Sequence, residues 1–367
     1  MTAVSSENRA RPPAGRWLHR LAVLVVCLVW PLVWVGSLVT TYDAGMAVPD
    51  WPGTYGYNMF LYPWETWITG PFDLLIEHGH RLLGALVGFV AIAAVGVAWR
   101  SEPRRWVVGL TAVGLGLVIL QGVLGGMRVV LGDRTLAMVH GCTAPIVFSL
   151  FTGLAVATSR WWHRVVREPA EESGSEPAEE KDAAAAAGRG IGRVTWGLAT
   201  GLVLASYLQL VLGAQLRHVA VTASPAGFTH TVASHITLAF LVWGASLILW
   251  RQLRGCGDLA LSRPAGLLIG FLGVQILLGL ATWVVNYGFP MWQQWPLAAG
   301  YLLQAKGFGE SLIVCGHVAT GSLILASAVM IWVRCWRTRW RDVRRGGPSD
   351  AEASRDFLSS NEAAVAV

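Results

Sequence analysis

Charge is scarce in this sequence. Of 367 residues, 14% are Asp, Glu, Lys or Arg and 54% are hydrophobic. A soluble domain has roughly 25% charged and 45–50% apolar residues. The stretch 42–75 contains neither Lys nor Arg, and none of the five cysteines falls in it, so no disulfide is expected there. No cleavable signal is expected either, because the first apolar run is too long for a signal-peptide core. These absences exclude a water-soluble enzyme and a disulfide-framed secreted domain.

What the sequence has instead is length of apolar run. A bilayer core needs roughly 20 apolar residues per helical span. Eight runs qualify: 20–41, 76–99, 107–131, 136–158, 194–216, 229–250, 265–286 and 309–333. Arginines gather before run 1 (Arg9, Arg11, Arg16, Arg20) and after runs 2, 4, 6 and 8, while the alternate connections are nearly bare. Basic residues accumulate on the cytoplasmic side, so both termini are expected inside. The net charge of +6 records this bias and does not point to nucleic acid.

The expected fold class is an all-α integral membrane protein, with eight transmembrane helices as two pseudo-symmetric four-helix bundles and both termini cytoplasmic. Residues 168–190 are acidic, small and low in complexity, as in a disordered linker. The expected organisation is a cytoplasmic segment 1–16, an N-terminal half 17–160, a linker 161–193, a C-terminal half 194–335 and a tail 336–367. Two aromatic, Pro- and Gly-rich outer loops, 42–75 and 287–308, are expected to fold over the helix ends. The elements Gln121-Gly-Val-Leu-Gly125, Gln209-Leu-Val-Leu-Gly213 and Gln275-Ile-Leu-Leu-Gly279 suggest a repeat. With four helices per half, the repeats run in the same direction, about an axis along the membrane normal.

Histidine placement is the stronger signal. His80, His140, His235 and His317 lie on spans 2, 4, 6 and 8, each a few residues into a span running inward. At 1.5 Å per residue they form one layer on the order of 5–15 Å below the outer surface. Four residues on from each stands Gly84, Ala144, Ala239 or Gly321, leaving room beside a ligand for a porphyrin; small residues are also common wherever membrane helices pack. Ionisable groups inside a membrane are costly and tend to be functional. Two imidazoles facing each other in a four-helix bundle can ligate haem iron axially; packing or hydrogen bonding is the bland alternative. Arg128 and Arg217, at the outer ends of spans 3 and 5, would suit a haem propionate or equally snorkel to lipid phosphate.

The halves differ. Span 2 reads Glu77-His78-Gly79-His80-Arg81 where span 6 reads Val232-Ala233-Ser234-His235-Ile236. One half therefore has a carboxylate on the histidine's helix and the other does not, as for one working site and one electron-transfer site. Glu77 could take up a proton or stabilise a cation, or merely pair with Arg81. His78, His218 and His230, near helix ends, are expected at the surface, and His163 uninvolved.

On these residues the chain resembles the haem A synthase family. The resemblance covers all eight spans and rests on Glu77-x-x-His80-Arg81, the later histidines His140, His235 and His317, the loop motif Pro49-Asp50-Trp51-Pro52, and the Gln-x-x-Leu-Gly elements. It implies oxidation of the C8 methyl of haem O to a formyl group through an alcohol and a hydrate. It implies haem b as cofactor on His235 and His317, and haem O as substrate near His80, His140, Arg81 and Arg128. It implies Glu77 as the catalytic carboxylate, and leaves Arg217 as a propionate partner. A haem O synthase and cytochrome oxidase assembly factors are implied partners, in a bacterial cytoplasmic membrane. Some members carry a cysteine pair in the first outer loop, tied to restoring the enzyme during turnover; this chain has none, so a mechanism that needs it is not open here. Gly84-x-x-x-Gly88 fits a homo-oligomer interface or a haem pocket. The main alternative is a di-haem b-type electron-transfer protein, which explains the histidines but not Glu77. A proton-relaying transporter and a non-catalytic haem chaperone are the others.

Overall fold

The computed structural model describes residues 15–167, 190–219, 223–287 and 307–344. The linker residues 168–189 and most of the loop 287–308 lie outside the described residues. Eight described helices are long and apolar enough to cross a membrane: span 1 Gly15–Thr41, span 2 Phe72–Ser101, span 3 Arg105–Leu131, span 4 Arg134–Ala157, span 5 Arg193–Arg217, span 6 Pro225–Gly255, span 7 Leu259–Tyr287 and span 8 Phe308–Arg344. No strand occurs among the described residues. In the most apolar stretch of span 7 only 11% of residues are buried. Leu267, Val274, Leu277 and Leu280 on that helix are all exposed. Such a surface is tolerated when the solvent is lipid, and the chain is a multi-pass membrane protein.

Helix ends follow local chemistry. Gly132 adopts φ +61° and closes span 3, its N–H meeting the carbonyls of Arg128 and Val129. Asp133 then caps span 4, accepting the backbone N–H groups of Thr135 and Leu136. Ser224 caps span 6 by accepting from Gly227, with Pro225 in the first turn.

Spans 1–4 pack in a ring, 1 on 2, 2 on 3, 3 on 4 and 4 on 1; spans 5–8 do the same in the same order. Span 8 lies against spans 1 and 4 and joins the two rings. The dense apolar cores sit toward the arginine-rich ends. One contains Leu18, Val25, Val87, Ala94, Phe148, Phe151 and Leu154. The other contains Leu202, Val242, Leu249, Leu261, Leu268 and Ile331. All four span histidines lie outside these cores, toward the long-loop end.

Two boundaries differ from the sequence reading. Residues Arg160–Arg167 form a short helix in place of the start of a linker. Its Trp162 and Val165 are buried while His163 and Arg164 are exposed, an amphipathic pattern too short for a hydropathy window. Span 8 runs on to Arg344, eleven residues beyond its apolar run and into the expected tail; a helix needs no hydrophobicity to continue. There the indoles of Trp106, Trp162 and Trp336 adjoin in sequence, with Arg104 over Trp106 and Arg337 over Trp162.

Candidate functional site

The four span histidines meet in two pairs. His80 and His140 hold their rings 6.4 Å apart between centroids at 78°. His235 and His317 hold theirs 6.2 Å apart at 69°. A metal–imidazole bond of roughly 2 Å on each side, plus roughly 1.1 Å from ring nitrogen to ring centre, gives about 6.2 Å for two imidazoles sharing one ion. Among the described residues no group of three or more His, Cys, Asp and Glu side chains could hold a metal. Two imidazoles alone suit an ion whose other ligands come from a porphyrin. In each of the four, Nδ1 is buried and lacks a partner in hydrogen-bond geometry. The carbonyls of Leu32, Gln121, Gln209 and Gln275 bear on His80, His140, His235 and His317 respectively. A backbone carbonyl on the second ring nitrogen is a common companion of a metal-ligating histidine. The residues present thus fit haem in both bundles.

Space beside the ligands differs between halves. A methyl group on Gly84, four residues after His80, would meet nothing within 4 Å, whereas one on Gly321, four after His317, would press on Leu210 and Gln275.

The loop end of the first bundle is organised around one ion pair. Arg81 Nη2 lies 2.9 Å from Glu77 Oε1, with side-chain exposures of 9% and 2%. The same guanidinium donates to the carbonyls of Val48 (2.7 Å), Asp50 (2.6 Å) and Gly53 (2.9 Å). Glu77 Oε2 accepts the backbone N–H of Val48 at 2.9 Å. The loop 48–53 is thereby wrapped on span 2. Its Trp51 indole lies against Gly126 of span 3, where any β-carbon would clash with the ring. Asp50 accepts from the N–H groups of Tyr55 (2.7 Å) and Gly56 (3.0 Å), which hold φ of +50° and +78°. Partial burial works against its charge, but these N–H groups and the Arg81 guanidinium hold its carboxyl below the ordinary 3.8.

His78 corrects the sequence reading. It is buried at 1% exposure, with Nδ1 3.1 Å from Thr54 Oγ1 and its ring against Tyr62 and Trp67. Its cover is the folded-back loop, whose path the sequence does not display. His218 is half-buried, while His163 and His230 are exposed.

The two candidate propionate arginines differ. Arg128 is half-buried with Nε unpartnered, and its Nη1 lies 2.8 Å from where a β-carbon on Gly45 would be. Arg217 instead crosses between the bundles, donating to Ser37 Oγ (3.1 Å), the Ser37 carbonyl (2.7 Å) and Thr41 Oγ1 (2.7 Å) on span 1. Thr41 Oγ1 is also 3.6 Å from Cys315 Sγ, two residues before His317. No carboxylate pairs with either arginine among the described residues.

A profile described as cytochrome oxidase assembly protein, COX15-CtaA, matches residues 19–305. The chain belongs to this family. The match takes in Glu77, His80, His140 and His235 and stops before span 8. Proteins named heme A synthase are similar to it in part. That of Symbiobacterium thermophilum is 25% identical over 216 residues, 58% of this chain and 61% of the relative. That of Shouchella clausii is 31% identical over 127 residues, 33% of this chain and 38% of the relative. A protoheme IX farnesyltransferase of Haloquadratum walsbyi is 31% identical over 143 residues, 39% of this chain and 28% of that protein. The matched stretch thus spans under two thirds of each relative's length.

Proposed function

We propose that the chain is a haem A synthase of the bacterial cytoplasmic membrane, an oxidoreductase that converts the C8 methyl of haem O to a formyl group. The observation that carries the reading is the repetition of one histidine pair at the spacing of a shared ion, with the buried Glu77–Arg81 pair beside only the first. Relatives named heme A synthase support it.

In this reading His235 and His317 hold haem b, which supplies one-electron redox chemistry. His80 and His140 receive haem O, and Arg128, a cation without an anionic partner, takes a propionate. Arg217 reaches the cofactor's propionates from the seam between bundles. Glu77 is the catalytic carboxylate, placing negative charge near the methyl as it loses electrons. Its two oxygens are fixed by Arg81 and by Val48 N–H, so it acts by position and charge. Arg81 holds the loop, which excludes water from that end. The two rings of four helices are repeats about an axis along the membrane normal, with the arginine-rich ends cytoplasmic. A protein named for farnesyl transfer to protohaem contains a segment similar to this chain, which supports a haem O synthase as the partner that supplies substrate.

The test is extraction and separation of the haems bound to the purified chain after co-expression with a farnesyl-transferring enzyme. Haem b together with haem A or its hydroxylated precursor supports the reading, and haem O recovered only unaltered contradicts it. Two haem b per chain, with haem O available and not bound, would favour a di-haem electron-transfer protein.

A further inference from the structure

We infer that Gly36, Gly125, Gly213 and Gly279 are positioning residues that set the planes of the four ligand imidazoles; the inference rests on the haem reading above. Each glycine lies on the odd-numbered span that precedes a histidine-bearing span. A β-carbon on Gly36 would fall 2.7 Å from His80 Cε1. On Gly125 it would fall 3.2 Å from His140 Cε1, on Gly213 3.2 Å from His235 Cε1, and on Gly279 3.1 Å from His317 Cε1. At all four positions the three nearest atoms are imidazole atoms of that one histidine. No other described glycine has a histidine among its three nearest atoms. General helix packing sets small residues against mixed neighbours, as at Gly316 and Gly321, which meet Trp34, Leu278, Leu210 and Gln275.

The repeated Gln-x-x-x-Gly element now has a physical meaning. The glycine lets the imidazole lie flush on the neighbouring helix, beside the carbonyl one turn earlier, at Gln121, Gln209 or Gln275. The glutamine reaches across to the histidine's own helix: Gln209 Nε2 donates to the His235 carbonyl at 2.9 Å, and Gln121 Nε2 to Thr143 Oγ1. Span 1 keeps the glycine and has Leu32 where the others have glutamine. The added methyl would meet the end of a side chain, so the helices can stay while the imidazole gives by a few tenths of an ångström, by turning. A turned imidazole changes its alignment with the iron, which the ferric spectrum reads directly.

The test uses the full-length purified protein with Gly213→Ala and Gly279→Ala. Gly201→Ala and Gly270→Ala, on the same two spans and facing open space, are controls. The expected result is a shifted or lost low-spin ferric signal from the cofactor haem in the first two variants. Helical content should stay that of wild type, and the controls should be unaltered. Spectra of Gly213→Ala and Gly279→Ala identical to the controls would overturn the inference while leaving the haem reading intact. Loss of helical content in those two variants alone would also overturn it, by making the glycines structural. A wild-type chain that binds no haem would overturn the haem reading itself.

Discussion

The imidazoles of His235 and His317 stand 6.2 Å apart at 69°, though their spans are separated in the chain by the whole of span 7. His80 and His140 repeat the relation across span 3. If each pair shares one ion, removal of either member should empty only its own bundle. His235→Ala and His317→Ala should each lose the haem b absorption, while haem O binding in the other bundle persists. Optical titration of the purified variants checks this; loss of both haems from either variant would contradict separate sites.

Glu77 and Arg81 carry opposite consequences for the loop. Glu77→Gln keeps the geometry to accept from Val48 N–H but removes the charge that opposes the guanidinium. Glu77→Ala leaves both Val48 N–H and a buried cation unpaired, a loss of about 3–5 kcal/mol for a broken buried pair. Formyl production should fall in both variants, and susceptibility of the 48–63 loop to proteolysis should rise far more in Glu77→Ala. Unchanged formyl production in either would remove Glu77 from the catalytic role.

Eight spans were legible because lipid demands unbroken apolar runs, and the histidine layer was legible because helical rise converts register into depth. The fold-back of the first loop was not. Pro49-Asp50-Trp51-Pro52 is plain in the sequence, but that Trp51 lies on Gly126 and that Arg81 gathers three loop carbonyls depend on tertiary approach. His78 was misplaced for the same reason: its position at a helix opening points to solvent until the loop covers it. The glycines of the Gln-x-x-x-Gly elements were visible as a repeat, yet their contact with the histidines needed coordinates. Gly36 lacked even that cue, since Leu32 stands in the glutamine position.

Asp50 gives the loop a pH dependence. Its carboxyl is held below 3.8 in the folded loop, so its stabilising effect is fully present above that value and is lost as pH falls through the lower folded value. Asp50→Asn should therefore lower the protection of the Tyr55 and Gly56 amides at neutral pH and abolish the acid-induced loss of protection expected of wild type below about pH 4. Hydrogen exchange across a pH series reads both effects.

Arg217 is a half-buried cation bonded to neutral oxygens of span 1. Without an anion, such a charge costs more in desolvation than it returns. Arg217→Met should raise the thermal stability of the haem-free protein and weaken cofactor retention, because the propionate loses its partner. Paired melting curves with and without haem decide this: destabilisation of the haem-free form alone would assign Arg217 to holding the bundles together.

The most direct measurement is haem composition in a host that makes haem O but no haem A. With this chain expressed, the extracted haems should include haem A or its hydroxylated precursor, and Glu77→Ala should return the pool to haem O. If haem O persists unaltered beside abundant, folded, haem b-loaded protein, the chain does not carry out this oxidation and the account is wrong.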